Sequence, residues 1–161
     1  MPAIHDNSIY VPGPPVDGVI YKLDALTGDT IWSHTTVGAE VQGVAVGNGM
    51  VYFGYFHYWG GPFGIRAICA SACTTIWDYP DPNHGFSVPA LSEDNTRLVS
   101  SRQDKVYCFN ALTGDTIWTY DAGALWGVHL PSIVDTVVYA YYGGPAGNWA
   151  FALNLSNGHE I

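Results

Sequence analysis

Residues 23–32 read LDALTGDTIW, and residues 109–118 read FNALTGDTIW. Eight of the ten positions are identical, and the two tryptophans stand 86 residues apart. Self-similarity at a fixed spacing marks a repeat architecture before any single element is assigned. Within each copy, Thr-Gly-Asp closes a tight turn in which Gly takes a positive φ, and Asp24 or Asn110, four residues before the Gly, accepts hydrogen bonds from the turn amides. The Thr-Ile-Trp that follows is a β-prone run.

Two weaker copies complete the series. AICASACTTIW, residues 67–77, ends on Trp77, which lies 45 residues after Trp32 and 41 before Trp118. FALNLSNGHEI, residues 151–161, places Gly158 44 residues after Gly114. A period near 43 is that of one four-stranded blade of a β-propeller. The expected fold is all-β, a partial propeller of about four consecutive antiparallel blades, in units near 1–34, 35–79, 80–120 and 121–161. The third unit predicts strands at Val88–Leu91, Arg97–Ser101, Lys105–Asn110 and Thr116–Tyr120, with turn residues between them. Aligning the N-terminus on this unit sets Met1 inside a first strand, and the fourth copy breaks off one place before its Trp. Both ends therefore cut a repeat unit, as in a fragment of a longer propeller.

Composition excludes several classes. Charged residues make up 12% of the 161, about half the usual share. The formal charge of −9 would repel a phosphate backbone, so nucleic acid is not an expected partner. No apolar run reaches the roughly 18 to 20 residues of a membrane span, and MPAIHDNSIY lacks the basic start and apolar stretch of a signal peptide. Histidines show no metal-ligand spacing, and DYPDPNHG (residues 78–85) has no EF-hand pattern, so no metal ligands are assigned.

The motif residues resemble the repeats of pyrroloquinoline-quinone-like, quinoprotein-type β-propellers, whose tryptophan-docking pattern is A-x-D-x-x-T-G-x-x-x-W. The first copy fits at Asp24, Thr27, Gly28 and Trp32, departing at Lys22; the third fits at Thr113, Gly114 and Trp118, with Asn110 for the acid and Cys108 for the small first residue. The second keeps Ala67 and Trp77, and the fourth keeps Ala152, Asn154 and Gly158. The resemblance implies that these residues are structural, each ring stacking on the next motif's turn: Trp32 on the Cys73 peptide, Trp77 on Gly114 and Trp118 on Gly158.

Function must then sit elsewhere. If the Thr-Gly turns join third to fourth strands on one face, the loops between second and third strands and between blades lie on the other. That face collects His57, Tyr58, Trp59, His84, Trp126 and His129 as candidate contacts for a ligand or partner, with Arg102 expected to be solvated. In the second copy, Cys69 and Cys73 stand where the others have Asp or Asn and Gly, so a disulfide can flank the turn.

The resemblance offers two functional readings. One is a non-catalytic scaffold that binds a protein partner or ligand through this loop face, similar to outer-membrane assembly proteins with these repeats. The other is a fragment of a PQQ- and calcium-dependent dehydrogenase oxidising alcohols or sugars. Such an enzyme calls for a vicinal Cys pair, which this chain lacks, and neither Trp126 nor Glu40 belongs to a matching motif. No catalytic residue is assigned, and PQQ and Ca²⁺ enter only with the second reading. Expected partners are a protein, the missing blades of the same propeller, or a second copy at open blade edges. Family resemblance and the cysteine pair imply a periplasmic or extracellular location.

Overall fold

The computed structural model describes residues 1–14, 17–36, 39–57, 60–123, 128–144 and 147–161. These form two compact units, Met1–Phe86 and Ser87–Ile161. The first unit holds two antiparallel sheets. One runs in the order β1 (Ala3–His5), β2 (Ser8–Pro12), β3 (Val19–Asp24) and β4 (Thr30–Thr35). The other contains β5 (Glu40–Val41), β6 (Ala45–Gly47), β7 (Met50–Phe56), β8 (Phe63–Cys69) and β9 (Thr75–Asp81), in the order β5-β7-β8-β9 with β6 also on β7. The second unit holds β10 (Ala90–Leu91), β11 (Arg97–Arg102), β12 (Lys105–Asn110) and β13 (Thr116–Asp121), then β14 (Val128–Val134), β15 (Val137–Gly144) and β16 (Gly147–Asn154).

The first strand of the third sheet is shorter than the sequence predicts, beginning at Ala90 rather than Val88. Pro89 has no N–H for a ladder. Ser87 takes over the pairing instead, its N–H donating to Ser101 O (2.8 Å) and its hydroxyl sitting 2.8 Å from Ser101 Oγ.

Burial follows position in the sheet. β7, β11 and β12 are buried on both faces over their central residues, which explains the near-continuous apolar runs of β7 and β12, while β11 buries Ser100 and Ser101 beside Leu98 and Val99. β9 and β13 alternate, burying Trp77 and Trp118 while Ile76 and Ile117 face outward. Tyr10, Ile20, Val51, Phe53 and Ile68 anchor the core of the first unit, and Val99, Val106, Trp118, Val138 and Leu153 that of the second.

The repeated turns share one geometry. Asp24 Oδ1 accepts from the N–H groups of Leu26 (2.8 Å) and Thr27 (2.9 Å), and Gly28 N donates to Asp24 O at 2.9 Å. Asn110 does the same for Leu112 and Thr113, at 2.9 and 3.3 Å, and Asn154 for Ser156 at 2.9 Å. Gly28, Gly114 and Gly158 all lie in the left-handed region, at φ 78, 77 and 73°, which a residue without Cβ enters freely. A bulge at Ile31, Ile76 and Ile117, the second residue of β4, β9 and β13, lets Trp32, Trp77 and Trp118 pair with Lys22, Ala67 and Cys108.

Within each unit one indole ties a sheet to the next. Trp118 Nε1 donates to Leu155 O (2.8 Å), and its ring lies so close to Gly158 that a Cβ there would fall 2.7 Å from Cδ2. Trp32 Nε1 donates to Ala70 O (3.0 Å), and Lys22 Nζ reaches the same carbonyl at 3.1 Å. That second contact gives the unusual lysine of the first motif a role: its ammonium also lies 5.5 Å from the centre of the Tyr10 ring.

Candidate functional site

The residues expected on the loop face fall into both units. Tyr58, Trp59 and Trp126 lie outside the described residues. His57 follows the last residue of β7, and the Gly61 backbone packs on it, a Cβ at Gly61 falling 2.9 Å from His57 Cγ. His84 follows β9, in a turn where Asp81 Oδ1 accepts from the N–H groups of Asn83 and His84, both at 2.9 Å. Gly85 leaves no room for a Cβ beside Phe56, so the segments carrying His57 and His84 touch. His84 Nδ1 is buried with no hydrogen-bond partner among the described residues.

Beside these segments stands a group that the sequence does not bring together, although Asp78 belongs to the DYPDPNHG loop. Arg66 Nη2 pairs with Asp78 Oδ2 at 2.8 Å, Tyr55 Oη donates to Asp78 Oδ1 at 2.9 Å, and the guanidinium lies 4.9 Å from the Tyr55 ring centre. Burial, followed by the bond to Asp78, pushes the Tyr55 hydroxyl up to about 12, so it remains a donor at neutral pH. Tyr55 and Arg66 line a cavity of about 210 Å³ with Thr35, Thr36, Ala39 and Pro62. The signal lay in the motif register: Ala67 opposite Trp77 places Arg66 opposite Asp78. Glu40 of β5 has a buried Oε2 without a partner among the described residues, and burial raises its carboxyl above the ordinary range.

In the second unit His129, at the start of β14, is exposed and stacks on Tyr141 with ring centres 5.2 Å apart. Around it the sheet is rich in aromatic residues. Tyr142 and Trp149, cross-strand partners on β15 and β16, stack at 5.2 Å and 4°. Both line a cavity of about 490 Å³ with Tyr120, Phe151 and Glu160, and Tyr120 Oη donates to Glu160 Oε2 at 2.8 Å. Tyr139, Tyr141 and Trp149 are each about half exposed (48, 47 and 50%), the two tyrosines on one face of the sheet and Trp149 with Tyr142 on the other. Alternation of Tyr139 and Tyr141 along β15 was the sequence signal for an aromatic face.

Arg102 departs from the solvated position expected of it and lies with its guanidinium 5.6 Å from the Tyr107 ring centre, since an arginine stem covers apolar surface readily. Cys69, Cys73 and Cys108 are free thiols. Cys69 Sγ lies 3.2 Å from Ser71 Oγ, whereas Cys73 Sγ faces away, toward Ser33 O and His34 Nδ1. Among the described residues no three of His, Cys, Asp and Glu gather into a metal-binding group, and no helix is long and apolar enough to cross a membrane.

Residues 16–161 match the family described as outer membrane protein assembly factor BamB. The chain belongs to this family. Its repeats are of the PQQ-like type, and the four sheets are those of a partial β-propeller. Among curated relatives, the tetrathionate hydrolase of Acidithiobacillus ferrooxidans is 24% identical over 182 residues, covering 99% of this chain and 36% of its own. The outer membrane protein assembly factor BamB of Nitrosomonas eutropha is 27% identical over 122 residues, covering 76% of this chain and 28% of its own. The chain thus spans about a third of the length of these relatives. The crystal structure of BamB from Moraxella catarrhalis superposes with a TM-score of 0.73 at 18% identity, over 96% of this chain and 48% of that one.

Proposed function

We propose that the chain is part of a non-catalytic interaction scaffold of the cell envelope, which engages a protein partner through its aromatic loop-side surface. The relatives alone do not choose a function, since one is named as a hydrolase and the other as an assembly factor. The observation that carries the reading is the cavity lined by Tyr120, Tyr142, Trp149 and Phe151, at whose edge Trp149 is half exposed. Large rings with a polar edge supply contact area at little entropic cost and are enriched where proteins bind one another. The family name supports an envelope location and a partner in outer-membrane protein assembly, and a periplasmic site fits both.

A photocrosslinking residue at Trp149 or Phe151, which line the cavity, compared with one at Leu26 or Leu112 of the Thr-Gly turns, tests this in envelope fractions. A discrete adduct with a component of outer-membrane protein assembly from the first pair alone is the expected result. Equal labelling from both pairs, or quinone absorbance with calcium-dependent dye reduction in the parent protein, would remove it.

A second reading rests on register. Tyr10, Val99 and Tyr139 are equivalent, pairing with Lys22, Cys108 and Ala152 of their motifs. Tyr10 and Val99 are 2% and 0% exposed, packed in cores with the following sheet, whereas Tyr139 is 48% exposed. The last sheet thus presents a surface that two earlier ones cover. We propose that the first sheet of a second copy, with Ile4 and Ile9, covers it head to tail.

A further inference from the structure

In three motif turns the capping position holds Asp24, Asn110 or Asn154, and the fifth position holds Gly28, Gly114 or Gly158. In the remaining turn both are cysteine, so two departures fall together and to the same residue type. Each departure is unfavourable alone. A sulfur accepts hydrogen bonds from turn amides poorly, and Cys73 sits at φ 60°, where a Cβ is disfavoured. A strained non-glycine residue held in place by its surroundings is a pointer to chemistry at that position.

We propose that Cys69 and Cys73 are a redox-reactive dithiol, which closes to a disulfide across the turn by exchange with a small-molecule or dithiol-protein disulfide, with His34 taking the Cys73 proton. The turn is already closed by Cys73 N donating to Cys69 O at 2.9 Å. One such turn sets the two Cα atoms roughly 6 Å apart, inside the roughly 4.4 to 6.8 Å that a disulfide spans. Cys73 Sγ lies 3.5 Å from His34 Nδ1, and His34 Nε2 is buried without a partner among the described residues. Cys69 is the accessible attacking group. The Ser71 hydroxyl, then the amides of Ala72 and Ser71, hold its thiol below the ordinary range, whereas burial pushes Cys73 up. That split suits an attacking and a resolving sulfur.

The exchange balances without further reagents. Cys69 thiolate attacks one sulfur of the donor disulfide, the donor S–S bond breaks, and the departing thiolate takes up the proton that Cys69 released. Cys73 then passes its proton to His34 Nδ1, its sulfur attacks Cys69 Sγ, and the second donor thiolate leaves and recovers that proton. The protein loses two protons and two electrons, and the donor is reduced to two thiols. Closure withdraws Cys73 Sγ from Ser33 O and His34, which are 3.6 and 3.5 Å away on β4, and so loosens one contact between the two sheets of the first unit.

The test uses the full chain equilibrated with oxidised glutathione, alkylated under unfolding conditions and weighed. Expected are a mass lower by two hydrogens, one alkyl group on Cys108, and none on Cys69 or Cys73. The variant Cys69→Asp/Cys73→Gly, which restores the turn of the other copies, keeps its fold and loses no hydrogens. His34→Ala slows closure at least tenfold, with the Cys69–glutathione adduct accumulating. Three alkylated cysteines, or an adduct on Cys69 that persists in the parent chain, would overturn the dithiol. An unchanged closure rate in His34→Ala would overturn the proton transfer.

Discussion

Single side chains in this molecule act mainly by replacing one another's hydrogen bonds at turns. Asp94 is the clearest instance: it accepts from Ser92 Oγ at 2.6 Å, Thr96 N at 3.0 Å and Thr96 Oγ1 at 2.9 Å. These donors, Ser92 first, hold its carboxyl down at about 2 from an ordinary 3.8. A carboxyl depressed by folding favours the folded state above its unfolded pKa, and that contribution is lost as protons bind on the way down to the folded one. Stability should therefore fall between pH 4 and pH 2 in part through Asp94. Acid titrations followed by circular dichroism should show a shallower fall in that window for Asp94→Asn, from a lower starting stability at neutral pH. Cys73 shows what a residue's neighbours in sequence conceal. Its place in the motif is plain from the repeat, but its contact with His34 spans 39 residues and depends on how one sheet meets another.

Strands and hairpins were the most legible level. The predicted Arg97–Ser101 and Lys105–Asn110 are found as Arg97–Arg102 and Lys105–Asn110, because short runs carrying Val, Leu, Tyr or Phe between turn residues encode strands locally. What stayed hidden was the pairing between strands. The Arg66–Asp78–Tyr55 group and the Tyr142–Trp149 stack are cross-strand constellations whose members lie 7 to 23 residues apart, so no contiguous motif announces them. Sheet-to-sheet attachment is argued best at Trp118, which meets Gly158 face-on and bonds Leu155 O. Gly158→Ala places a Cβ into the ring at φ 73° and should cost about 2 to 4 kcal/mol. Gly28→Ala, with nothing within 4 Å of its Cβ, should cost only the backbone term of about 1 to 2 kcal/mol. Urea unfolding of the two variants should separate these values; equal losses would mean that the indole contact contributes nothing.

Across the whole chain, the proposed head-to-tail contact predicts association at micromolar concentration, seen by sedimentation as a dimer or larger. Tyr139→Glu with Tyr141→Glu should return the protein to a monomer with an unchanged far-UV spectrum, since both side chains are half exposed and charges there disturb no core. A monomeric parent chain would end that proposal. One further property follows from the duplicated hairpin. Because β3–β4 and β12–β13 are built on almost the same ten residues, each is a decoy for the other while the chain is still unfolded. A crossed pairing of β3 with β13 would satisfy nearly every local preference and fail only when the sheets try to close, so the refolding pathway carries a dead end that must be unzipped before it can be left.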